Sequence, residues 1–295
     1  MVQFRKTPIV PFRFRGVLYF VKREDFLHTI IDGTKGRKFY SLLHRPWEGV
    51  EELIGFGSPL ANSFSTLAYI ARQRGWRFRY FVTYVPPQLR RKPAGNFQKG
   101  LEWGAQVVET GLTGEALREF VLGQQGKGRI VVEEGGRGDL AEEGVSQLAR
   151  EILEFCKSHN LPVFLPSGTG TTAYYLAKYL QPEGVKVYTT PLVGGVEYLQ
   201  KQFQWLGGGE NLPTILPPLR RYRFGALYPN LYRLWEELGK GGIGFDLLYD
   251  PVGWEVVVGR KLGPLLYIHQ GGKLGNLTML ARYRKLFEKE RDGKK

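Results

Sequence analysis

Short apolar segments of the kind found in buried strands alternate along the chain with segments whose apolar residues recur at helical spacing. Six strand-like segments lie at 17–21, 79–85, 129–133, 162–165, 185–189 and 265–269. Helical spacing is found at 62–75, 96–104, 140–159 and 171–180. Strands that alternate with helices build βαβ units, in which the strands run parallel and helices cover the sheet. The alternation predicts an α/β protein with mostly parallel sheets flanked by helices.

Charge is distributed unevenly, and this unevenness indicates two units. Residues 53–101 contain no Asp or Glu. Glycines at 135, 136 and 138 follow the strand-like segment at 129–133 and provide a place for the chain to cross back. We therefore expect a small α/β domain at 48–134, inserted into a large domain made of 1–47 and 135–295. The acid-free stretch carries eight basic residues: Arg72, Arg74, Arg77, Arg79, Arg90, Arg91, Lys92 and Lys99.

Composition excludes several classes of protein. No apolar run approaches the ~20 residues of a membrane span, and the basic N-terminus lacks the apolar core of a signal peptide. The single cysteine, Cys156, excludes an internal disulfide framework and lies in an apolar helical pattern, which indicates a buried structural thiol in a reducing cytoplasm. Four histidines without metal-ligand spacing argue against a metal centre. The net charge of +14, from 42 Lys and Arg against 28 Asp and Glu, points to nucleic acid or to small anions.

The most informative local motif follows the strand-like segment at 162–165. Glycines in such a loop let backbone N–H groups turn toward an anion, threonine hydroxyls add donors, and the next helix begins with a favourable dipole. The motif is neither a Walker loop nor GxGxxG, and the alternative is an ordinary helix-capping turn. The predicted phosphate-binding residues are Ser167, Gly168, Thr169, Gly170, Thr171 and Thr172.

Four further segments carry candidate functional residues. Lys35 lies in the glycine-flanked turn GTKGRK, where burial would make its amine nucleophilic, although a solvated basic turn is the simpler reading. Asn62 and Ser63 stand where a helix cap would. FDLLYDP places Tyr249 and Asp250 at the end of an apolar run, and YIHQGG places His269 and Gln270 after a strand; His269 fits a core position equally well. Ligands of α/β sheets bind beyond the carboxyl ends of strands, so these segments predict one shared site.

In their order along the chain, these motifs resemble those of the pyridoxal-phosphate (PLP) enzymes of the 1-aminocyclopropane-1-carboxylate (ACC) deaminase and D-cysteine desulfhydrase family. The resemblance covers nearly the whole chain. It implies the two-domain tryptophan synthase β-like fold (fold type II), a PLP cofactor and a homodimer. The matching motifs are TP at 7–8, VKRED at 21–25, GTKGRK at 33–38, GFGSPLANS at 55–63, EEGG at 133–136, SGTGTT at 167–172, VGG at 193–195, FDLLYDP at 245–251 and YIHQGG at 267–272.

The resemblance also implies a role for each matching residue. Lys35 would form the Schiff base with the cofactor, and Asn62 would hydrogen-bond the cofactor's ring oxygen. Ser63 would help to hold the substrate carboxylate. Apart from the resemblance, Gln270 is a substrate-binding candidate whose position after the strand would place it beside the cofactor or the substrate. Tyr249 matches an active-site tyrosine, and Asp250 an acidic residue that faces the pyridine nitrogen. The SGTGTT loop would hold the cofactor phosphate.

The reaction implied is β-elimination from a small amino acid such as D-cysteine, which yields a 2-oxo acid and ammonia. Ala61 stands where the family has a serine, which weakens the alternative of ACC ring opening and leaves open a member that binds cofactor without turnover. A remote alternative is nucleic-acid binding by RQRGWRFRYF at 72–81, where arginines and aromatic residues interleave. The same period-two alternation describes a strand with one apolar face and one arginine face.

Overall fold

The structure, a computed structural model, describes residues 2–31 and 33–292. Its strands and helices alternate as the sequence predicts, and they form two sheets. In chain order the strands of these residues are β1 (Ile9–Phe14), β2 (Val17–Arg23), β3 (Glu52–Phe56), β4 (Arg77–Val82), β5 (Gln106–Glu109), β6 (Arg129–Val131), β7 (Val163–Ser167), β8 (Val187–Pro191), β9 (Thr214–Ile215) and β10 (Leu266–His269).

Helices cover both sheets and connect most of the strands. The helices of the described residues are α1 (Thr34–Lys38), α2 (Tyr40–His44), α3 (Asn62–Arg74), α4 (Pro87–Arg91), α5 (Gly95–Glu102), α6 (Gly114–Leu122), α7 (Glu142–Ser158), α8 (Thr171–Leu180), α9 (Gly195–Trp205), α10 (Pro229–Gly239), α11 (Asp250–Gly259) and α12 (Lys273–Asp292).

The larger sheet has six strands in the order β1-β2-β10-β7-β8-β9. Its β1–β2 pair is antiparallel, and every other pair in it is parallel. The smaller sheet has four parallel strands in the order β5-β4-β3-β6. Mostly parallel sheets flanked by helices are therefore confirmed. The strands of the small sheet all lie within 48–134 and those of the large sheet outside it, while the domain partition itself stays a prediction.

Both sheets are buried on two faces. Leu148 and Ile152 of α7 pack against the large sheet with Leu165, and Trp254 of α11 packs on its other face with Phe12. A strand that is covered on both sides needs apolar residues in sequence, which is why these segments read as continuous apolar runs. Cys156 lies in the first of these clusters, where burial raises the pKa of its thiol to about 12, as expected for a structural thiol.

Two local expectations are wrong. GTKGRK is not a flexible turn, because Thr34–Lys38 forms the short helix α1. FDLLYDP does not follow a strand, since residues 245–249 are irregular and Asp250 begins α11. Both segments nevertheless lie at the carboxyl edge of the large sheet beside β10.

The arginine-rich segment at 72–81 ends α3 and forms most of β4. Phe78 and Tyr80 are buried in the core beside the small sheet, as the strand interpretation predicts. Arg79 donates two hydrogen bonds to the carboxylate of Glu52 on β3, at 2.8 and 2.9 Å. The arginine face of this strand is thus engaged within its own sheet. In the described part of the chain, no helix combines the length and apolarity needed to cross a bilayer.

Candidate active site

One cavity of about 400 Å³ opens at the carboxyl ends of the parallel strands. Its walls come from β7, from the loops that follow strands of both sheets, and from the first turns of neighbouring helices. Every residue that the sequence assigned to the site lines this cavity: Lys35, Asn62, Ser63, Ser167, Gly168, Thr169, Gly170, Thr171, Thr172, Tyr249, Asp250 and Gln270. The structure therefore brings the predicted residues together, while their individual roles stay predictions.

Backbone contact with the end of β10 holds α1, which carries Lys35, in place. Gly33 precedes the helix with φ +60°, and a Cβ built on it would lie 1.7 Å from the carbonyl oxygen of Gln270. Only glycine allows so close an approach. The Thr34 N–H donates to the same carbonyl at 3.0 Å. Lys35 is thus presented from a helix that is anchored on the strand carrying Gln270.

A buried network of charges fixes the other side of α1. Arg37 is 2% exposed and donates to Glu24 at 2.9 Å and to Glu151 at 2.7 Å. Lys22 of β2 donates to the same Glu151 at 2.7 Å. Two cations and two carboxylates therefore balance one another in the interior, as buried charges require. The reading of KGRK as a solvated basic turn is wrong, because Arg37 and Lys38 are both buried.

The predicted phosphate loop runs from β7 into α8. Gly170 has φ +75° and packs so closely that a Cβ on it would lie 2.5 Å from a methyl group of Leu199. Thr169 and Thr171 share a hydrogen bond between their hydroxyls at 3.0 Å, whereas the Ser167 hydroxyl bonds Thr189 in the core at 2.7 Å. Among the described residues, the buried Thr172 hydroxyl has no hydrogen-bond partner. The loop thus offers an unsatisfied donor at a helix N-terminus.

Lys38 is a site residue that the sequence reasoning missed. Its Nζ donates to the carbonyl of Gly135 at 3.1 Å and to the Thr169 hydroxyl at 3.4 Å. Burial, together with the nearby charge of Lys35, holds the pKa of Lys38 well below its usual range. Residues three apart share one helix face, so the spacing of the two lysines was the available signal. A cation here faces the loop where an anion would bind.

Asp250 is held by three donors. Its carboxylate accepts from the Tyr267 hydroxyl at 2.8 Å, from His269 Nδ1 at 2.9 Å and from the Asp246 N–H at 2.8 Å. His269 is fully buried, with Nε2 3.8 Å from Asp25. Burial lowers the pKa of His269, but Asp250 and then Asp25 outweigh it, so the pKa is raised. His269 therefore touches Asp250 from behind the cavity.

Tyr249 is placed by a turn that Asp246 builds. The Asp246 carboxylate accepts from the N–H groups of Leu248 and Tyr249, at 2.7 and 2.5 Å. The Tyr249 hydroxyl points at the phosphate loop, 3.2 Å from the position of a Cβ on Gly168. Burial, and then the charge of Asp246, raise the pKa of Tyr249, which stays protonated. Asp246 also lines the cavity and was not predicted.

Asn62 and Ser63 open α3 without capping it. Ala61 is the N-cap residue, and no side chain caps this helix, so the capping interpretation is wrong. Asn62 accepts a hydrogen bond from Asn96 at 2.7 Å. Gln270 donates to the Pro166 carbonyl at 2.6 Å, which ties the end of β10 to β7 beside the phosphate loop.

The fold and the cavity together define a class: tryptophan synthase β-like proteins with a lysine, a phosphate-type loop and an acidic residue at the strand ends. No family model matches the sequence. A rice (Oryza sativa subsp. japonica) protein provisionally named D-cysteine desulfhydrase 2, mitochondrial, is 24% identical over 89% of this chain and 79% of its own.

Solved structures agree with this class. An ACC deaminase homologue superposes with a TM-score of 0.78 at 19% identity, covering 96% of this chain and 94% of its own. A hydrogen sulfide-producing enzyme from Fusobacterium nucleatum superposes with a TM-score of 0.64 at 14% identity, covering 91% and 94%. These likenesses establish the fold, and the comparisons support the resemblance to the ACC deaminase and D-cysteine desulfhydrase family.

Proposed function

We propose that this protein is a PLP-dependent lyase that removes ammonia from a small amino acid by β-elimination. The observation that carries the proposal is the meeting of Lys35, the 167–172 loop and Asp250 in one cavity of about 400 Å³. Each of these groups has a task in PLP chemistry: a primary amine for the cofactor aldehyde, donors for its phosphate and a carboxylate for its pyridine nitrogen.

The residues present fit the phosphate of such a cofactor. The Thr172 hydroxyl is buried and has no hydrogen-bond partner among the described residues, and it would gain an acceptor. Lys38 is a buried amine beside the loop, and a phosphate would supply the opposite charge that favours its protonated form. The N-terminus of α8, ten residues long, adds its dipole. These features support an anion at this place.

Bound PLP withdraws electrons from the α-carbon of the substrate amine. Lys35 would release the cofactor to the substrate amine and then carry a proton to and from the α-carbon. Asp250 would keep a proton at the ring nitrogen, and its three donors fix its orientation. Asn62 would bond the ring oxygen, and Ser63 would hold the substrate carboxylate.

For the substrate we favour D-cysteine or a similar small amino acid. The cavity is small, and Ala61 offers no hydroxyl where the resembling family has a serine. The names of the rice relative and of the Fusobacterium enzyme, which concern cysteine desulfhydration and sulfide production, add support. ACC is the second candidate, favoured by the high TM-score of the ACC deaminase homologue.

A substrate panel tests the proposal. Purified protein reconstituted with PLP is assayed with D-cysteine, L-cysteine, D-serine and ACC for release of 2-oxo acid and ammonia. We expect the highest kcat/KM with D-cysteine and no release by Lys35→Ala. Release from ACC alone would favour ring opening, and a cofactor-loaded protein that acts on none of the four would overturn the lyase proposal in favour of a binding function.

We further propose a cytoplasmic homodimer whose partners are small amino acids, and not nucleic acid. A single buried cysteine suits a reducing compartment. Phe26, Trp205 and Leu277 are exposed apolar side chains of the kind that interfaces cover. Light scattering at two protein concentrations tests the dimer, and a monomer at both would contradict it.

A further inference from the structure

We propose that Glu134 is a catalytic acid that gives a proton to the leaving group on the substrate's β-carbon. This inference rests on the proposed β-elimination and assigns its second proton transfer. Lys35 serves the α-carbon, so a separate group is needed for the side chain. Glu134 lines the same cavity.

A sharp turn after β6 positions the Glu134 side chain. The turn comprises Glu134–Gly136, and its two glycines have φ +66° and +73°. A Cβ on Gly136 would lie 2.6 Å from the ring of Phe39, so this position admits only glycine. The Glu134 side chain reaches toward the loop that carries Asn62 and Ser63, because its Oε1 lies 3.0 Å from the Cβ position of Gly57. The Glu134 side chain thus lies in the same cavity as the proposed phosphate and substrate-carboxylate residues.

The preceding residue, Glu133, is a glutamate with an ordinary structural role. Glu133 accepts from Arg118 at 2.6 Å and from Arg137 at 2.8 Å, and these two arginines lower its pKa although burial opposes them. The Glu134 carbonyl accepts a backbone hydrogen bond from the Arg137 N–H at 3.3 Å, but its side-chain carboxyl group, in contrast to that of Glu133, makes no hydrogen bond and no ion pair within 4.0 Å in the part of the chain that the structure describes. Two adjacent carboxylates are therefore in opposite environments.

The surroundings of Glu134 favour a carboxyl group that keeps its proton. Burial raises its pKa; Arg137 opposes this and Glu133 adds to it. Its other titratable neighbours are the phenols Tyr80, Tyr198 and Tyr249. Burial is the largest cause that raises the pKa of each phenol, and ionisation of Glu134 would raise it further. The Glu134 carboxyl group is therefore the strongest acid of these four groups.

In the elimination step, the bond between Cβ and the leaving atom breaks, and its electron pair stays on the leaving atom. The proton of the Glu134 carboxyl group moves to that atom, which departs as neutral thiol or water, and Glu134 is left as a carboxylate. It regains a proton from solvent before the next turnover. A thiolate leaves with moderate help, a hydroxide needs the proton, and a chloride needs none.

Because the three leaving groups differ in their need for a proton, substrates that carry them distinguish proton donation by Glu134 from a purely structural role. The holoenzyme and its Glu134→Gln variant are compared on D-serine, D-cysteine and β-chloro-D-alanine by release of 2-oxo acid. We expect kcat/KM to fall about 100-fold or more for D-serine, about 10-fold for D-cysteine and less than about 2-fold for the chloride. Glu133→Gln is the matched control and should leave the ratios between substrates unchanged.

An equal loss on all three substrates, or no loss on any, would overturn the role of Glu134. Failure of the wild-type enzyme on all three would instead overturn the proposed elimination. Infrared difference spectra of the cofactor-free protein, wild type minus Glu134→Gln, give a readout without activity. We expect a protonated carboxyl band that persists well above the pKa of an exposed glutamate, about 4.3. Loss of the band near that pH would contradict the assignment.

Discussion

Lys38 is a buried amine that points at a loop of hydroxyl and backbone N–H donors. Its Nζ contacts Gly135 and Thr169, and burial lowers its pKa. Positive charge in such a place is unfavourable until an anion arrives. Lys38 is therefore suited to pair with a phosphate. Its contribution to ligand binding should depend on whether the ligand carries a phosphate group.

Replacing Lys38 with Met should weaken PLP binding about 10- to 100-fold, because a hydrogen bond between charged groups contributes about 1.5–3 kcal/mol. Binding of pyridoxal, which lacks the phosphate, should change less than about 2-fold. Absorbance titration of the cofactor-free protein measures both affinities. Lys99→Met, which removes an exposed lysine paired with Glu102, is the control. Equal losses for the two ligands would show that Lys38 does not face the phosphate.

We expect the ionisation of His269 to make the free energy of unfolding depend on pH. The folded pKa of His269 is raised above the ordinary histidine value of about 6.5, since Asp250 and Asp25 outweigh the effect of burial. A raised pKa means that the folded state binds the proton more tightly, so the stabilisation is complete below about 6.5 and is lost as pH rises through the folded pKa.

Urea unfolding of wild type and His269→Asn at several pH values measures this effect. The difference in free energy of unfolding should be greatest near pH 6, at about 3 kcal/mol, and smaller at pH 9. Exposed His159→Asn is the control and should show no such trend. A difference that grows with pH would mean that His269 is buried in its neutral form.

The strands and helices differ in how strongly the sequence predicts them. The six strand-like segments correspond to β2, β4, β6, β7, β8 and β10, with ends that coincide or shift by up to three residues. Strand β5, Gln106–Glu109, is only partly buried and polar at both ends, so it has little apolar signal. Helix α11 buries Val252, Trp254 and Val256, and a helix buried on several sides has no amphipathic stripe to detect.

The candidate site was predictable as a set of loops, because ligand-binding loops of parallel sheets follow the strands. The cavity residues that were not predicted include Lys38, Glu134 and Asp246. Lys38 contacts a distant part of the chain and the Glu134 side chain lacks a partner, and no local pattern reports either feature. Asp246 builds a local turn that the apolar residues around it conceal. Helix α1 is a similar case, since its glycines suggest a turn and its anchors are Gln270 and the charge network.

That charge network gives a prediction for α1. Glu24 is fully buried and pairs with Arg37 and the Thr7 hydroxyl. Glu24→Gln leaves Arg37 with one carboxylate fewer, which should cost about 3–5 kcal/mol in free energy of unfolding. Glu143→Gln breaks an exposed pair with Arg45 and should cost less than about 1 kcal/mol. Urea unfolding compares the two, and equal costs would contradict a structural role for the network.

In the whole molecule, α12 extends from the large sheet and packs against α5 beside the small sheet. The closest approach is at Gly95, with φ +56°, where a Cβ would lie 2.8 Å from the carbonyl oxygen of Leu274. The net charge of +14 says less about a binding partner than the sequence suggests, because basic residues such as Arg37 and Arg79 are paired with carboxylates inside the protein. The position of the site is set by the packing of α12 against α5 and by the loops at the strand ends.

Gly95→Ala tests this packing, and Gly104→Ala is a matched control. Both positions have positive φ, but a Cβ on Gly104 would meet nothing within 4 Å. Each variant should lose about 1–2 kcal/mol from backbone strain, and Gly95→Ala should lose about 1–3 kcal/mol more from overpacking. Equal losses in urea unfolding would mean that α12 does not press on Gly95.

The central claim is that Lys35 is the amine that binds PLP, and covalent trapping tests it most directly. The protein is reconstituted with PLP, reduced with borohydride and digested, and the modified peptide is identified by mass spectrometry. We expect one pyridoxyl group on Lys35, an absorbance band that borohydride bleaches, and neither in Lys35→Ala. Modification of Lys38 instead, or a protein that takes up no PLP, would contradict it.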